Sequence, residues 1–322
     1  MKQQTGFTLV ELMVSISLGL LVVAAATQLY LTGQKSMLVQ QGAANLQNSA
    51  SFGLEYMLRD IRLANLNAAK PMIDPTVLHG GIVLNKANLS SNNTFTLTGA
   101  TASNSLMTAG AIGPSNLQGE SSDQLVIQYR NANSQGEMVS AFDCEGHAIA
   151  PNAYIVERYF LREDTNNRND PNAPLALVCK ATSYLKDDDS KLDGLDGAGE
   201  IIMPRVDHFH VLLGVASDTI DATKSPAVVG QDGVLDQFGY IGIPNYLALT
   251  TKPQIVSVQL GLLVRSPDSI GKNDLVDANK TYQILDVNKA LKTDSKNSSY
   301  NRQVITQTIA LRNGFGLQEN PK

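Results

Sequence analysis

The chain opens MKQQTGFTLVELMVSISLGLLVVAAATQLYLTGQ (1–34), and the reading of the whole protein hangs on this stretch. An apolar run extends from Phe7 to Leu31 with Glu11 as its only charge, and the next charged residue is Lys35. As a helix the run would cover roughly 37 Å, enough to cross a hydrocarbon core of about 30 Å with some tilt. A carboxylate inside a membrane costs several kcal/mol unless it is paired. Within one helix Glu11 is expected to have no partner. A secretory signal peptide would carry a shorter apolar region and a small-residue cleavage site. Ala24, Ala25 and Ala26 imitate such a site, so a cleaved signal or a plain signal anchor is the bland alternative. Lys2 before the run, with no basic residue directly after Leu31, puts the leader in the cytoplasm and the remainder outside.

The totals bound what the remainder can be. A length of 322 residues permits one large domain or two ordinary ones. An apolar fraction of 43% with 17% charged residues supports a core and argues against a disordered chain. The formal net charge of −5 gives no reason to expect direct nucleic-acid binding. Lys289, Lys292 and Lys296 are diluted by Asp286 and Asp294 and read as a solvated face. The two cysteines, Cys144 and Cys179, form no CxxC pair. An even count in an exported chain suggests one disulfide, which would stabilise the fold by roughly 3–4 kcal/mol. Two buried free thiols are the alternative. A catalytic thiol would need a poised histidine, and only His147 is near in sequence.

The helical pattern continues beyond the apolar run. No proline occurs before Pro71, and Leu38, Leu46, Ala50, Gly53, Met57 and Ile61 recur at three- and four-residue steps. Glu55 and Arg59 stand four apart with the acid first. A continuous helix from Phe7 to Ala69 would be on the order of 95 Å long, with an amphipathic upper half that must lie against something. Strands follow at 124–130, 154–161, 175–180, 254–265 and 304–312. In the fourth, Val256, Val258, Leu260, Leu262 and Val264 are expected on one face; in the last, Ile305, Ile309 and Leu311. Polar stretches separate them, among them 164–174, 186–199 and the long segment from Ser217 to Pro253. A helix followed by strands argues for an α+β fold with an antiparallel sheet.

The sequence Gly6-Phe7-Thr8-Leu9-Val10-Glu11 resembles the leader of type IV prepilins. That resemblance implies cleavage between Gly6 and Phe7 by a dedicated peptidase and N-methylation of the new Phe7 amine. It also implies that Glu11 registers incoming subunits by pairing with a neighbour's freed amino terminus. LRDIRLA (58–64) looks like the helix end of PilW-type minor pilins and of the large minor pseudopilin of type II secretion. The glycine and aromatic that often follow there are replaced by Asn65 and Leu66. FDCEG (142–146) with YIVERYFL and LALVC resembles the paired-cysteine portion of the PilW group. VSVQLGLLVRSPD (256–268), Tyr300 and ITQTIALRNG (305–314) resemble its C-terminal part, about 200–316. The segment from Pro71 to Asp123 carries no family signal.

Candidate chemistry outside this frame is thin. In DSKLDGLDGAGE (189–200), Asp189, Asp193, Gly194 and Glu200 fit positions of a calcium-binding EF-hand loop. Lys191 occupies a position that needs an acid or amide, so a solvated acidic loop competes with a Ca²⁺ site. His208 and His210 would share one face of a strand, an acceptable metal geometry, but no third ligand is evident and Asp207 points the other way. No nucleophile elbow, phosphate loop, metalloprotease helix or dinucleotide fingerprint occurs, and no catalysis and no other cofactor is expected.

The expected organisation is a leader (1–6), a transmembrane and filament-core helix (7–31), an amphipathic continuation (32–69) and a β-rich head with large loops (70–322). The resemblance implies a pilin-like minor subunit, held in the bacterial inner membrane with its head in the periplasm and then built into an extracellular type IV pilus. Its implied partners are other minor pilins, the major pilin, the prepilin peptidase and the inner-membrane assembly platform. Priming of the filament, a tip position, adhesion, twitching motility and DNA uptake are the implied roles. A pseudopilin of type II secretion is the runner-up. A membrane-anchored periplasmic enzyme or free-standing adhesin is the reading from another class.

Overall fold

A computed structural model of the chain describes residues 6, 8–91, 96–99, 105–131, 142–167, 174–185, 191–218, 235, 237–267, 269, 280–293 and 300–314, excepting the side chains of 49–51 and 191. One helix, α1 (Leu9–Ile61), runs for 53 residues, which is roughly 80 Å of rise. Its first half is exposed on every side. That half contains a window long and apolar enough to cross a membrane, and none of the window is buried. Further along, one face turns inward. Leu46, Leu54, Met57, Leu58 and Ile61 are buried, which makes the second half amphipathic in fact as well as in pattern. Leu38, expected on the same stripe, remains exposed because the head begins beyond it.

The helix ends at Ile61, short of the Ala69 that the pattern allowed. Asn65 adopts a left-handed backbone with φ of 64°, a conformation Asn tolerates better than most residues. Its side-chain amide donates to the carbonyls of Asn313 and Lys70 at 2.7 and 3.2 Å, and its Oδ1 accepts from the Gly81 amide at 2.8 Å. Asn313 answers by donating to the carbonyls of Ala64 and Arg62 at 3.1 and 3.3 Å. The far end of the chain thus caps the carbonyls at which the helix stops.

The head is built from two antiparallel sheets. The first contains β2 (Ala109–Gly113), β3 (Ser122–Arg130), β4 (Tyr154–Glu163), β5 (Leu175–Tyr184) and β7 (Glu200–Pro204), in the order β2-β3-β4-β5-β7. The second contains β8 (Val206–Ser217), β9 (Gln237–Gly242), β10 (Gln254–Arg265) and β13 (Arg302–Ala310), in the order β13-β10-β8-β9. A parallel pair, β1 (Thr96–Leu97) with β6 (Lys191–Leu192), and a hairpin, β11 (Thr281–Ile284) with β12 (Val287–Ala290), decorate them. A short helix α2 (Ile243–Ala248) follows β9. All five strands expected from sequence are present. The edge strands, the histidine-bearing β8 and the small hairpin were not expected. Nor was the segment Ser217–Pro253 a plain polar connection: β9 and α2 lie in it, with Phe238 and Tyr240 two apart along a short edge strand that pairs with β8.

One hydrophobic cluster holds these layers together. Leu46, Met57 and Ile61 of the helix meet Leu125, Tyr159 and Leu177 of the first sheet. The same cluster includes Phe209, Val258 and Leu260 of the second. Ile309 and Leu311 join it and Ile305 packs at its margin, as their alternation predicts. Val256 does not share the core face of Val258, Leu260, Leu262 and Val264. A bulge between Ile255 and Ser257 shifts the alternation and turns Ile255 into the core in its place. In the second sheet, Asp207 is fully buried with Arg302 at 2.6 Å and Arg265 at 3.3 Å, so three strands share one charge knot.

Helix and sheet come into close backbone contact at Gly53. A Cβ there would stand 2.5 Å from the Ile202 carbonyl oxygen and 2.9 Å from Met203 Cβ. Backbone that close cannot be relieved by turning a side chain. Gly53→Ala should therefore lower stability by about 1–3 kcal/mol, despite the helix-propensity gain of ~1 kcal/mol that alanine brings. Gly33→Ala, in open space, should be neutral or stabilising; thermal unfolding of the detergent-solubilised protein followed by near-ultraviolet circular dichroism separates the two.

Candidate assembly site

Two places on α1 concentrate polar chemistry: its start and its seat in the head. At the start, Thr8 is the N-cap. Its hydroxyl accepts from the Glu11 amide at 3.3 Å, while Glu11 Oε2 accepts from the Thr8 amide at 3.1 Å and from the Thr8 hydroxyl at 2.9 Å. This is a reciprocal capping box. It corrects the expectation that Glu11 has no partner within its own helix: the spacing from Thr8 to Glu11 brings the carboxylate back over the helix terminus. No cation touches Glu11 among the described residues, so its charge is solvated by donors without being neutralised. Gly6 is exposed. Phe7 lies outside the described residues.

At the seat, Asp60 faces inward and is 2% exposed; Glu157 on β4 is fully buried. Tyr159 lies between them, its hydroxyl 3.2 Å from Asp60 Oδ2 and 3.1 Å from Glu157 Oε2. Glu157 Oε1 accepts from the Cys144 amide at 3.1 Å and from the Tyr129 hydroxyl at 3.3 Å. Arg59 Nε closes the other side at 3.1 Å from Asp60 Oδ1. The Tyr159 hydroxyl has one proton and so donates to only one carboxyl. The other must supply a proton of its own. Burial, with the charge of Asp60 adding to it, pushes the Glu157 carboxyl up to about 8. Burial raises Asp60 too, and Arg59 opposes that rise. The consistent assignment is a neutral Glu157 donating to Tyr159, which donates to an ionised Asp60 paired with Arg59. Cys144, whose amide enters this chain of bonds, is joined to Cys179 by a disulfide.

The other sequence candidates do not assemble into one site. Asp193 is exposed, and its carboxylate accepts from the Thr98 hydroxyl. Glu200 is exposed on β7, and Asp189 lies outside the described residues. Among the described residues no group of three or more His, Cys, Asp and Glu side chains is arranged to hold a metal ion. His208 and His210 do share a face, with ring centroids 6.1 Å apart. His210 is already engaged at both nitrogens, by Asp123 and Asp286 at 2.7 Å each. Burial alone would depress its pKa, but the hydrogen bonds and charges of those two aspartates raise it. His208 is pushed down to about 4, by burial first and by His210 second. Arg59, four residues after Glu55, turns to Asp60. The seat itself was missed in sequence. Its signal was available in YIVERYFL, where Glu157 interrupts the face shared by Ile155, Tyr159 and Leu161.

Residues 1–27 match the Prokaryotic N-terminal methylation motif. Residues 158–313 match the family described as Type IV Pilus-assembly protein W. Among solved structures, the Type IV-like pilin TTHA1219 from Thermus thermophilus is similar at 10% identity, over 84% of this chain and 96% of that chain, with a TM-score of 0.34. A likeness that weak carries no argument. A search of curated proteins found no match.

The seat makes stability depend on pH with a definite sign. A carboxyl whose folded pKa is raised keeps a proton that the unfolded chain gives up above its ordinary value of 4.5. Its contribution is therefore complete below that value and is lost as pH rises toward about 8. Glu157→Gln preserves the donor to Tyr159 and cannot ionise. In denaturation midpoints taken across that interval, wild type should decline and the glutamine variant should hold a flatter profile and be the more stable of the two at the alkaline end.

Proposed function

We propose that this chain, whose residues 158–313 match the Type IV Pilus-assembly protein W family and whose residues 1–27 match the N-terminal methylation motif, is a minor pilin that primes filament assembly and sits at the filament tip. The observation that carries this reading is the exposed apolar half of α1, which holds a single carboxylate one turn inside its first residues, behind a methylation motif. That half-helix fits a membrane anchor. In this reading the leader is cut between Gly6 and Phe7, Phe7 is N-methylated, and the head lies in the periplasm until the subunit enters the pilus.

The capping box supports a specific role for Glu11. Thr8 aims the carboxylate at the helix terminus, close in sequence to where a freed Phe7 amine would appear. Hydrogen bonds from Thr8 offset part of the desolvation cost, and the remaining net charge calls for a cation. A neighbouring subunit's new amino end supplies one when helices are staggered by about one turn. Other minor pilins, the major pilin, the prepilin peptidase and the inner-membrane platform are the proposed partners. A head that takes up most of the chain is hard to repeat along a tightly packed filament, which favours the tip. Adhesion, twitching and DNA uptake would follow through the assembled pilus.

Deletion of the gene followed by counting of surface pili by electron microscopy tests the priming role; pili should fall to few or none. Complementation with Glu11→Gln separates the two functions of the carboxylate, because glutamine still accepts from Thr8 but carries no charge. If charge pairing drives assembly, Gln should fail as Ala does, with pilus counts reduced about tenfold or more. Normal piliation together with lost secretion of exoenzymes would move the protein to a secretion system.

A further inference from the structure

A cavity of about 470 Å³ opens on the outer face of the first sheet, lined by Ala109, Ile112, Pro114, Gln124, Arg158 and Phe160 among others. It exists because β2 does not follow β3 evenly. Ala109 pairs with Gln124 and Gly113 with Ser122, so the residues between bulge away from the sheet. Ala111, at the crest, is held with φ of 58°, a conformation alanine adopts only under constraint. The constraint is the Asp123 carboxylate, which accepts from the Ala111 amide at 2.8 Å and is itself buried. The bulge leaves Ile112 half exposed at 50%.

Arg158 reaches this space across the face of Phe160, with its guanidinium carbon 3.6 Å from the ring centroid. Its Nε donates to Gln124 Oε1 at 2.6 Å and an Nη1 hydrogen to the Leu195 carbonyl at 3.1 Å. Gln124 is 1% exposed and is oriented by donating to the carbonyls of Met107 and Ser105 at 2.6 and 3.2 Å. Arg158 is thus positioned by a buried residue that is itself fixed. Both of its hydrogen-bond partners among the described residues are neutral. Asp196 acts on it only through its charge; burial, the larger effect, lowers the Arg158 pKa to about 10. The guanidinium remains cationic at neutral pH, and its other N–H groups have no bonded partner among the described residues. An apolar recess of this size with one oriented charged group has the make-up of a small-molecule site, and a guanidinium's planar fork matches a carboxylate.

We propose that this cavity binds a small apolar carboxylate, with Arg158 holding the acid group and Ile112, Pro114 and Phe160 enclosing the hydrocarbon. The site is separate from α1, so it stands or falls independently of the assembly role.

Benzoate is the probe, benzamide its neutral isostere, and the full chain in lipid nanodiscs with labelled isoleucine δ-methyl groups the sample. Benzoate should shift the Ile112 methyl resonance in a saturable way, and benzamide should bind about tenfold more weakly or worse. Arg158→Met keeps bulk and contact with Phe160 but has no charge; it should abolish the preference while leaving the core isoleucine resonances in place. Equal affinity for the two probes, no saturable shift with benzoate, or an undiminished preference in Arg158→Met would overturn the proposal. The two-probe comparison on the unmodified protein decides the matter even if the variant misfolds.

Discussion

Everything in this molecule depends on how one half of a long helix is held while the other half is left bare. The grip lies between Leu46 and Ile61. Gly53 lets the helix backbone come against the Ile202–Met203 edge, Met57 and Ile61 enter the common core, and Asp60 reaches Tyr159. Each contact is short range and none repeats along the exposed half. The head can therefore be rigid about its own end of the helix while the apolar end stays exposed. Burying the apolar side chains of the grip stabilises by roughly 1.5–3 kcal/mol each, before the entropy of ordering them is counted.

The buried polar groups gather at joints between elements. Asp60, Tyr159 and Glu157 join α1 to β4 and, through the Cys144 amide, to the disulfide-bearing segment. Asp207 joins β8 to β10 and β13 through two arginines. His210 joins β8 to Asp123 on β3 and to Asp286 at the turn of the β11–β12 hairpin. Hydrogen bonds and ion pairs have directions that hydrophobic contacts lack. A mismatch leaves a buried polar group unsatisfied, which costs about 1–3 kcal/mol. Such joints therefore fix the angles at which layers meet, where apolar packing alone would tolerate several.

Glu11 and Glu157 show one chemical group answering two environments. Glu157 is enclosed by protein, and that burial first, with the negative charge of Asp60 second, raises its pKa. Glu11 stands on an exposed helix end, held by Thr8. The first is solved inside the subunit. The second is met by Thr8 alone among the described residues.

Much of the fold was legible because it rests on local pattern. The apolar run, the stripe of Leu46, Met57 and Ile61 and the alternation of β10 and β13 are written in residue order, since side-chain direction follows backbone period. The capping box too is written locally, in the three-residue spacing of Thr8 and Glu11. Other features have no local signature. The bulge that substitutes Ile255 for Val256 depends on how β8 pairs with β10, and the helix stop at Ile61 depends on Asn313 arriving from the far end of the chain. Residue order by itself determined a long, partly apolar helix and a set of amphipathic strands, with a carboxylate marking the helix start. Only tertiary structure decided which acids are buried together, where the strands bulge and which arginine faces a cavity, because those outcomes rest on contacts between residues distant in sequence.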